Sequence, residues 1–172
     1  MPPAGFSAAT ALDQLRAGST LQSIADAHPM DEVVAAVRDA LTGLRLGVSS
    51  LDEAGLRRVA GLELWSIAEI AGHALRMDEA AHHVARSLAV GQRPSVRVPY
   101  GVPGPADASR DELLGGVRAA EERLAATRVL AAGGPAFAHD ELGELTARGW
   151  ILFSGVHLAA HLHQAAAVMR AR

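Results

Sequence analysis

The sequence contains no cysteine and no lysine, and aromatic residues make up only 3% of its 172 residues. The absence of cysteine excludes disulfides, thiolate metal ligands and a cysteine nucleophile. A transition-metal site in this chain must therefore use imidazole or carboxylate ligands. All 16 basic residues are arginine, the formal net charge is −3, and no basic block occurs along the chain. This charge pattern gives no indication of nucleic-acid binding.

Long hydrophobic runs are also missing from the sequence. No uninterrupted stretch of about 18 apolar residues occurs, so we expect no membrane-spanning helix. The N-terminal residues MPPAGFSAAT lack the basic region and apolar core of a secretory signal. Hydrophobic residues make up 49% of the chain and charged residues 20%, which is typical of a globular domain with a substantial core. We therefore expect a soluble cytoplasmic protein.

Hydrophobic periodicity predicts four long helices, at residues 31–47, 66–88, 110–130 and 146–172. Two of these helices begin with a capping box, in which a serine is followed three residues later by a glutamate. The paired residues are Ser66 with Glu69 and Ser109 with Glu112.

Loops and the overall architecture follow from the same pattern. Residues 91–108, with four prolines and three glycines, are predicted to form a loop, as are residues 131–145. Four long helices joined in this way predict an all-α fold, a four-helix bundle over residues 30–172. Residues 1–29 are predicted to form a short helical N-terminal extension.

Histidines in two of the predicted helices are spaced so that they could share one metal ion. His157 and His161 lie four residues apart in the last helix, so both rings point from the same face. His73 belongs to a stripe of the second helix that should face the bundle interior, together with Ile70 and Met77. Three imidazole ligands with one coordination position left open are typical of catalytic zinc sites. On spacing alone, the alternative of buried histidines satisfied by hydrogen bonds stays open.

The same argument about helix faces predicts that the other helical histidines point away from this group. His163 lies about 200° from His161 around the last helix. His82 lies about 180° from His73, and His83 lies about 80° from it. We expect these three side chains at the surface or on the flank of the bundle. Trp65 and Trp150 each lie near the start of a helix and are predicted to anchor the core.

Three segments of the sequence resemble a known family. Residues 65–73, WSIAEIAGH, have the form W-S-x-x-E-x-x-x-H, and residues 157–164, HLAAHLHQ, have the form H-x-x-x-H-x-x-Q. Residues 139–150, HDELGELTARGW, lead directly into the last helix. In this order and spacing the segments resemble the DinB-like superfamily, in its DinB-2 branch, over about residues 35–172. The resemblance implies a DinB/YfiT-like four-helix metalloprotein. It also implies a divalent metal ion bound by His73, His157 and His161.

The ligand types and the resemblance together give a functional hypothesis. Imidazole ligands without thiolate or an evident carboxylate favour zinc or nickel. DinB-like relatives include transferases and isomerases that use bacillithiol, mycothiol or glutathione. The resemblance therefore implies a metal-dependent transferase that uses a low-molecular-weight thiol in detoxification or stress. Two alternatives remain open, a metal-dependent hydrolase and a non-catalytic metal-binding or ligand-binding bundle.

A few further residues are candidates for supporting roles. Gln164, three residues after His161, is a candidate for a hydrogen bond to a ligand histidine. His139 and Asp140, in the loop before the last helix, are candidates for acid–base catalysis, although loop capping is the simpler interpretation. The expected partners are a small-molecule substrate and the thiol, and a homodimer through a helical face is a further expectation. Nucleic acid and membranes are not expected partners.

Overall fold

The computed structural model describes residues 5–60, 64–96, 98, 100–127 and 134–171. Seven α-helices and one two-stranded sheet lie within these ranges. In chain order they are α1 (Ala8–Arg16), α2 (Leu21–Ala27), α3 (Met30–Ser49), α4 (Glu53–Leu56), α5 (Ile67–Ala89), α6 (Arg110–Thr127), β1 (Phe137–His139), β2 (Gly143–Leu145) and α7 (Ala147–Arg170).

The four long helices α3, α5, α6 and α7 form the predicted four-helix bundle. α7 packs against α3 and α5, and α6 packs against the same two helices, so the order around the bundle is α3, α7, α5, α6. The capping box at the start of α5 is present. Ser66 Oγ accepts a hydrogen bond from the Glu69 backbone N–H at 3.2 Å, and the Glu69 carboxylate accepts from the Ser66 backbone N–H at 2.8 Å. The cap fixes where α5 begins, and it thereby sets the position of His73 along the bundle.

The segment predicted as a loop before the last helix contains a β-hairpin. β1 and β2 pair antiparallel, with Phe137 opposite Leu145 and His139 opposite Gly143. Strands of three residues are too short for an alternating pattern to be detected in the sequence. The predicted end of the third helix, at Leu130, lies outside the described residues.

The predicted helical extension is present as α1 and α2, which pack on α7. Gln22 of α2 holds the first turn of α7 through Thr146, the residue that caps that helix. The Gln22 Oε1 atom accepts a hydrogen bond from the Thr146 backbone N–H at 2.9 Å, and the Gln22 amide donates to Thr146 Oγ1 at 3.1 Å. The extension therefore covers one face of α7 and fixes its start.

Among the helices in the described ranges, α7 alone is long and apolar enough to cross a membrane by length and composition, with a mean hydropathy of 1.2. Half of its most apolar window is buried inside the protein. It packs against α1, α2, α3 and α5. A helix that neighbouring elements cover on several sides is apolar for that reason. We therefore interpret α7 as the core helix of the bundle.

A buried polar layer joins α5, α6 and α7. Asp78 of α5 is fully buried. One carboxylate oxygen accepts a hydrogen bond from Ser154 Oγ of α7 at 2.6 Å, and the other accepts from the Arg123 guanidinium of α6 at 3.0 Å. His82 Nδ1 lies 2.9 Å from the Asp78 carbonyl oxygen and 3.3 Å from its carboxylate. Burial by itself would raise the pKa of Asp78, but His82, Ser154 and Arg123 outweigh burial and lower it. The layer therefore holds a charged carboxylate in the core.

The position of His82 corrects the sequence analysis. We expected this residue at the surface or flank, and it is fully buried. The facing argument assumes that a helix has one exposed side, whereas 16 of the 23 residues of α5 are buried. α5 packs against both α6 and α7, so positions opposite His73 also face protein. His83 is partly exposed and His163 is exposed, as expected.

Replacing Asp78 should destabilise the fold strongly. Asp78→Asn keeps the shape of the side chain but leaves Arg123 without its anionic partner, and we expect the free energy of unfolding to fall by about 3 kcal/mol. Glu79→Gln, at the exposed neighbouring position of α5, is the matched control and should change it by less than about 0.5 kcal/mol. Urea unfolding followed by circular dichroism measures both. Equal stability of the two variants would contradict the account of the polar layer.

Candidate metal centre

Three histidines from α5 and α7 meet at one point. His157 Nε2 lies 3.1 Å from His73 Nε2 and 3.0 Å from His161 Nε2. One ring nitrogen from each residue lies within 4.8 Å of the other two. His157 and His161 are on successive turns of α7, and His73 faces them from α5. The helix-face argument therefore places these three side chains together, and the packing of α5 on α7 closes the distance between them.

Hydrogen bonds from the far side of two rings fix which nitrogen carries the proton. His73 Nδ1 donates to the Val102 carbonyl oxygen at 2.8 Å. His161 Nδ1 donates to Gln164 Oε1 at 2.7 Å. A neutral imidazole has one N–H, so Nε2 of each of these residues keeps its lone pair. Both lone pairs are directed toward His157, and Gln164 has the contact that the sequence analysis suggested.

Burial keeps the three rings neutral. Burial, and after it the neighbouring His161 and His73, lower the pKa of His157 to about 3. Burial lowers the pKa of His73 against the opposing effect of its hydrogen bond to Val102. Burial also lowers the pKa of His161. At neutral pH the site therefore holds three uncharged imidazoles, which is the form in which histidine binds metals.

The Val102 carbonyl reaches His73 because the loop after α5 lies directly on that helix. Gly104 makes this approach possible. A Cβ atom at position 104 would lie 2.7 Å from the Glu69 carbonyl oxygen and 2.8 Å from the His73 backbone nitrogen. The Gly104 backbone N–H donates to the Glu69 carbonyl at 2.9 Å. Arg76 holds the loop from the other side by donating to the carbonyl oxygens of Val102 and Pro103. The loop is therefore anchored to α5 on both sides of the contact with His73.

The arrangement fits a divalent metal ion. Two nitrogens bound tetrahedrally to one ion at about 2.0–2.1 Å lie about 3.3 Å apart. The two separations from His157, 3.1 and 3.0 Å, are close to that value. Without a cation, the single N–H of His157 can donate to only one of the two facing nitrogens, His73 Nε2 and His161 Nε2. The lone pair of the other nitrogen is then left without a partner in this group. The described residues add no carboxylate to this group. Neutral imidazole nitrogens suit several divalent transition metals.

Aromatic rings border the three histidines. The Trp65 ring meets His73 edge-on, with ring centroids 4.8 Å apart, and lies nearly parallel to His161 at 6.3 Å. The Phe153 ring lies 5.3 Å from that of His157. Trp65 was predicted to anchor the core, and it is half-buried. The same ring also forms a wall of the site, a role that the prediction did not include. These apolar walls lower the polarity beside the ligands, which strengthens electrostatic interactions there.

His139 and Asp140 do not join the three histidines. His139 is buried, with its ring 4.6 Å from that of Phe153 and 5.5 Å from that of Trp150. Its Nδ1 accepts from the Glu141 backbone N–H at 3.1 Å, and its Nε2 has no hydrogen-bond partner among the described residues. Asp140 is exposed in the hairpin turn. The acid–base role of both residues stays a prediction. Trp150 is fully buried, as expected of a core anchor.

Two features that support the site were missed in the sequence analysis. The hydrogen bond from His73 uses the main-chain carbonyl of Val102, and a main-chain acceptor has no sequence signature. The glycines of the Pro-rich loop, Gly101 and Gly104, are a signal for a close backbone approach, but they do not identify α5 as the surface approached. The Asp78 layer begins one turn beyond His73, and no pattern in the sequence marks it.

A family model for the DinB superfamily matches residues 34–165. This chain belongs to the DinB superfamily. The match includes His73, His157, His161 and Gln164, and it leaves α1 and α2 outside. No curated protein matches the sequence.

Two solved structures share the fold of this DinB protein. The four-helix bundle protein TT2238 superimposes with a TM-score of 0.65 at 22% identity, over 81% of this chain and 99% of that one. The mycothiol-dependent maleylpyruvate isomerase superimposes with a TM-score of 0.65 at 15% identity, over 84% of this chain and 62% of that one. At these identities the likeness shows a common fold.

Replacing two of the three histidines should abolish divalent-metal binding by this DinB protein. We expect the His157→Ala, His161→Ala double variant to lose stoichiometric divalent metal, because one imidazole cannot retain the ion. Elemental analysis of the purified protein measures the metal content. His163→Ala, two residues from His161 and exposed, is the matched control and should keep the metal. Full metal content in the double variant would refute the ligand assignment.

Proposed function

We propose that this protein is a metal-dependent transferase that joins a low-molecular-weight thiol to an electrophilic small molecule. The observation that carries the proposal is the convergence of three neutral imidazole nitrogens, two pairs of which are 3.1 and 3.0 Å apart. Three protein ligands leave a coordination position for a reactant. His73, His157 and His161 are the proposed ligands, and zinc and nickel are the proposed metals.

The composition of the chain supports a nucleophile that is a separate thiol co-substrate. It has no cysteine and no lysine, so it supplies neither of the two side chains that most readily become strong nucleophiles. A bound divalent ion would favour the thiolate form of a thiol co-substrate, which is the form that attacks electrophiles. One of the two structural relatives is an isomerase that depends on mycothiol. That relative supports the thiol part of the proposal by analogy of fold.

The residues around the ligands have defined tasks in this reaction. Val102 and Gln164 accept hydrogen bonds from the Nδ1–H groups of His73 and His161, and so keep both Nε2 lone pairs directed into the site. Trp65 and Phe153 form apolar walls beside the ligands. In the transfer, the sulfur forms a bond to the electrophilic carbon, the leaving group departs with its electron pair, and the thiol proton passes to solvent.

A thiol transferase can work without a general-base side chain, which a hydrolase commonly needs. Hydrolysis by activated water commonly uses a side chain that accepts and returns a proton. The described residues place no carboxylate in the ligand group, and His139, the candidate base from the sequence, is buried among aromatic rings. A thiol has a much lower pKa than water and can be activated without such a base. For this reason we favour transfer over hydrolysis.

A conjugation assay tests the proposed function. The metal-loaded protein is mixed with monochlorobimane, which becomes fluorescent on reaction with a thiol, and with mycothiol, bacillithiol or glutathione in turn. We expect catalysed conjugation with at least one thiol. The His73→Ala variant should lose most of this activity, by about a hundredfold or more, because it lacks a ligand. His163→Ala should retain it.

Two results would point to the alternatives. Hydrolysis of p-nitrophenyl acetate without any thiol, dependent on the same three histidines and with no catalysed thiol conjugation, would favour a metal-dependent hydrolase. Stoichiometric metal with neither reaction, and no protection against heat by thiols, would favour a non-catalytic metal-binding bundle. Either result would refute the proposed transferase.

A further inference from the structure

An apolar cavity adjoins the candidate metal centre. It has a volume of about 390 Å³ and lies between α3, α5 and α7, at the end of the bundle where α3 and α7 finish and α5 begins. His161 forms part of its wall. The same side chain therefore belongs to the proposed ligand set and to the cavity.

The lining of the cavity is almost entirely hydrocarbon. Aliphatic side chains from the three helices form most of it, including Leu44, Ile70, Leu158 and Leu162. Arg170 is the one charged residue among the described residues of the lining, and no acidic side chain is found there. The cavity therefore offers favourable contacts to an apolar molecule and no anionic partner for a cation.

The helical periodicity of α7 explains why His161 faces both the metal centre and the cavity. Residues three and four positions apart share a helix face. Leu158, three residues before His161, and Ala165, four residues after it, fall on the face that carries His161, and both line the cavity. His157, one turn earlier, faces His73 and is not part of the lining. The metal centre thus stands at the inner end of an apolar strip that continues along α7 toward Arg170.

We propose that this cavity receives the alkyl or aryl group of the electrophilic substrate, an assignment that rests on the proposed thiol transfer. A volume of about 390 Å³ is within the range of small-molecule sites. An apolar group seated there would have its reactive carbon next to His161, where the metal and the thiol would meet it. Specificity would then follow the length and apolarity of the substrate, because each buried methylene strengthens binding by about fourfold.

Fluorescence titration with anilinonaphthalene sulfonate tests the cavity without any need for catalysis. Ala166→Phe and Ala167→Phe make a matched pair, because both lie on α7 but only Ala166 lines the cavity, whereas Ala167 is exposed. We expect Ala166→Phe to weaken binding of the probe by about tenfold, since the benzyl group takes up the apolar volume. Ala167→Phe should bind like the wild type.

A second blocking variant comes from the opposite wall. A Cβ atom at Gly47 would meet no atom within 4 Å. Gly47→Phe therefore introduces a ring from α3 at a position where its Cβ meets no clash, and should also weaken probe binding. Competition by a series of n-alkanols should become about fourfold stronger with each methylene in the wild type and should be much less sensitive to chain length in both blocked variants.

Three results would overturn the assignment. The first is equal probe affinity in the folded Ala166→Phe, Ala167→Phe and Gly47→Phe variants. The second is alkanol competition that does not depend on chain length in the wild type. The third is conversion of a wild-type dimer to a monomer by Gly47→Phe. The last result, measured by sedimentation, would assign this face to a second copy of the chain. Probe binding needs neither thiol nor turnover. If binding behaves as expected while the conjugation assay fails, the proposed transfer fails and the cavity remains a binding site for apolar molecules.

Discussion

The organisation of this protein depends on one constraint, the close approach of three uncharged imidazole nitrogens inside a helical bundle. His157 Nε2 lies within 3.1 Å of Nε2 on both His73 and His161. Outward hydrogen bonds from His73 and His161 direct two lone pairs to the same point, and burial keeps all three rings from gaining a proton. A cation at that point would satisfy all three nitrogens.

Two devices outside the ligand set maintain this geometry. The loop at Val102 and Gly104 lies on α5, and its Val102 carbonyl accepts a hydrogen bond from His73. The orientation of that ring therefore depends on a backbone contact that only glycine permits. One layer away, the Asp78 carboxylate connects α5 to Ser154 of α7 and to Arg123 of α6. A bridge of this kind fixes the register of α5 against α7, and the distance between His73 and His157 depends on that register. Stability and site geometry are therefore linked.

Helical periodicity was sufficient to predict the bundle, whereas the group of three histidines also needed the resemblance to the DinB-like superfamily, because spacing alone left buried, hydrogen-bonded histidines as an alternative. His157 and His161 share a face by spacing, and His73 lies in the apolar stripe of its helix. Other features depended on information that periodicity does not contain. His82 was expected outside, but α5 is covered by neighbours on almost every side. The β-hairpin at residues 137–145 has strands too short to leave a pattern. The contact with Val102 uses a backbone atom and arises from tertiary packing alone.

X-ray absorption spectroscopy of the zinc-loaded protein tests the central claim most directly, because it counts the ligands of the ion in solution. We expect three imidazole nitrogens at about 2.0–2.1 Å and at least one oxygen ligand from solvent, and replacement of that solvent ligand by sulfur at about 2.3 Å when a thiol is added. A spectrum with fewer than three imidazoles, or with oxygen ligands alone, would contradict the assignment of His73, His157 and His161 as a single metal centre.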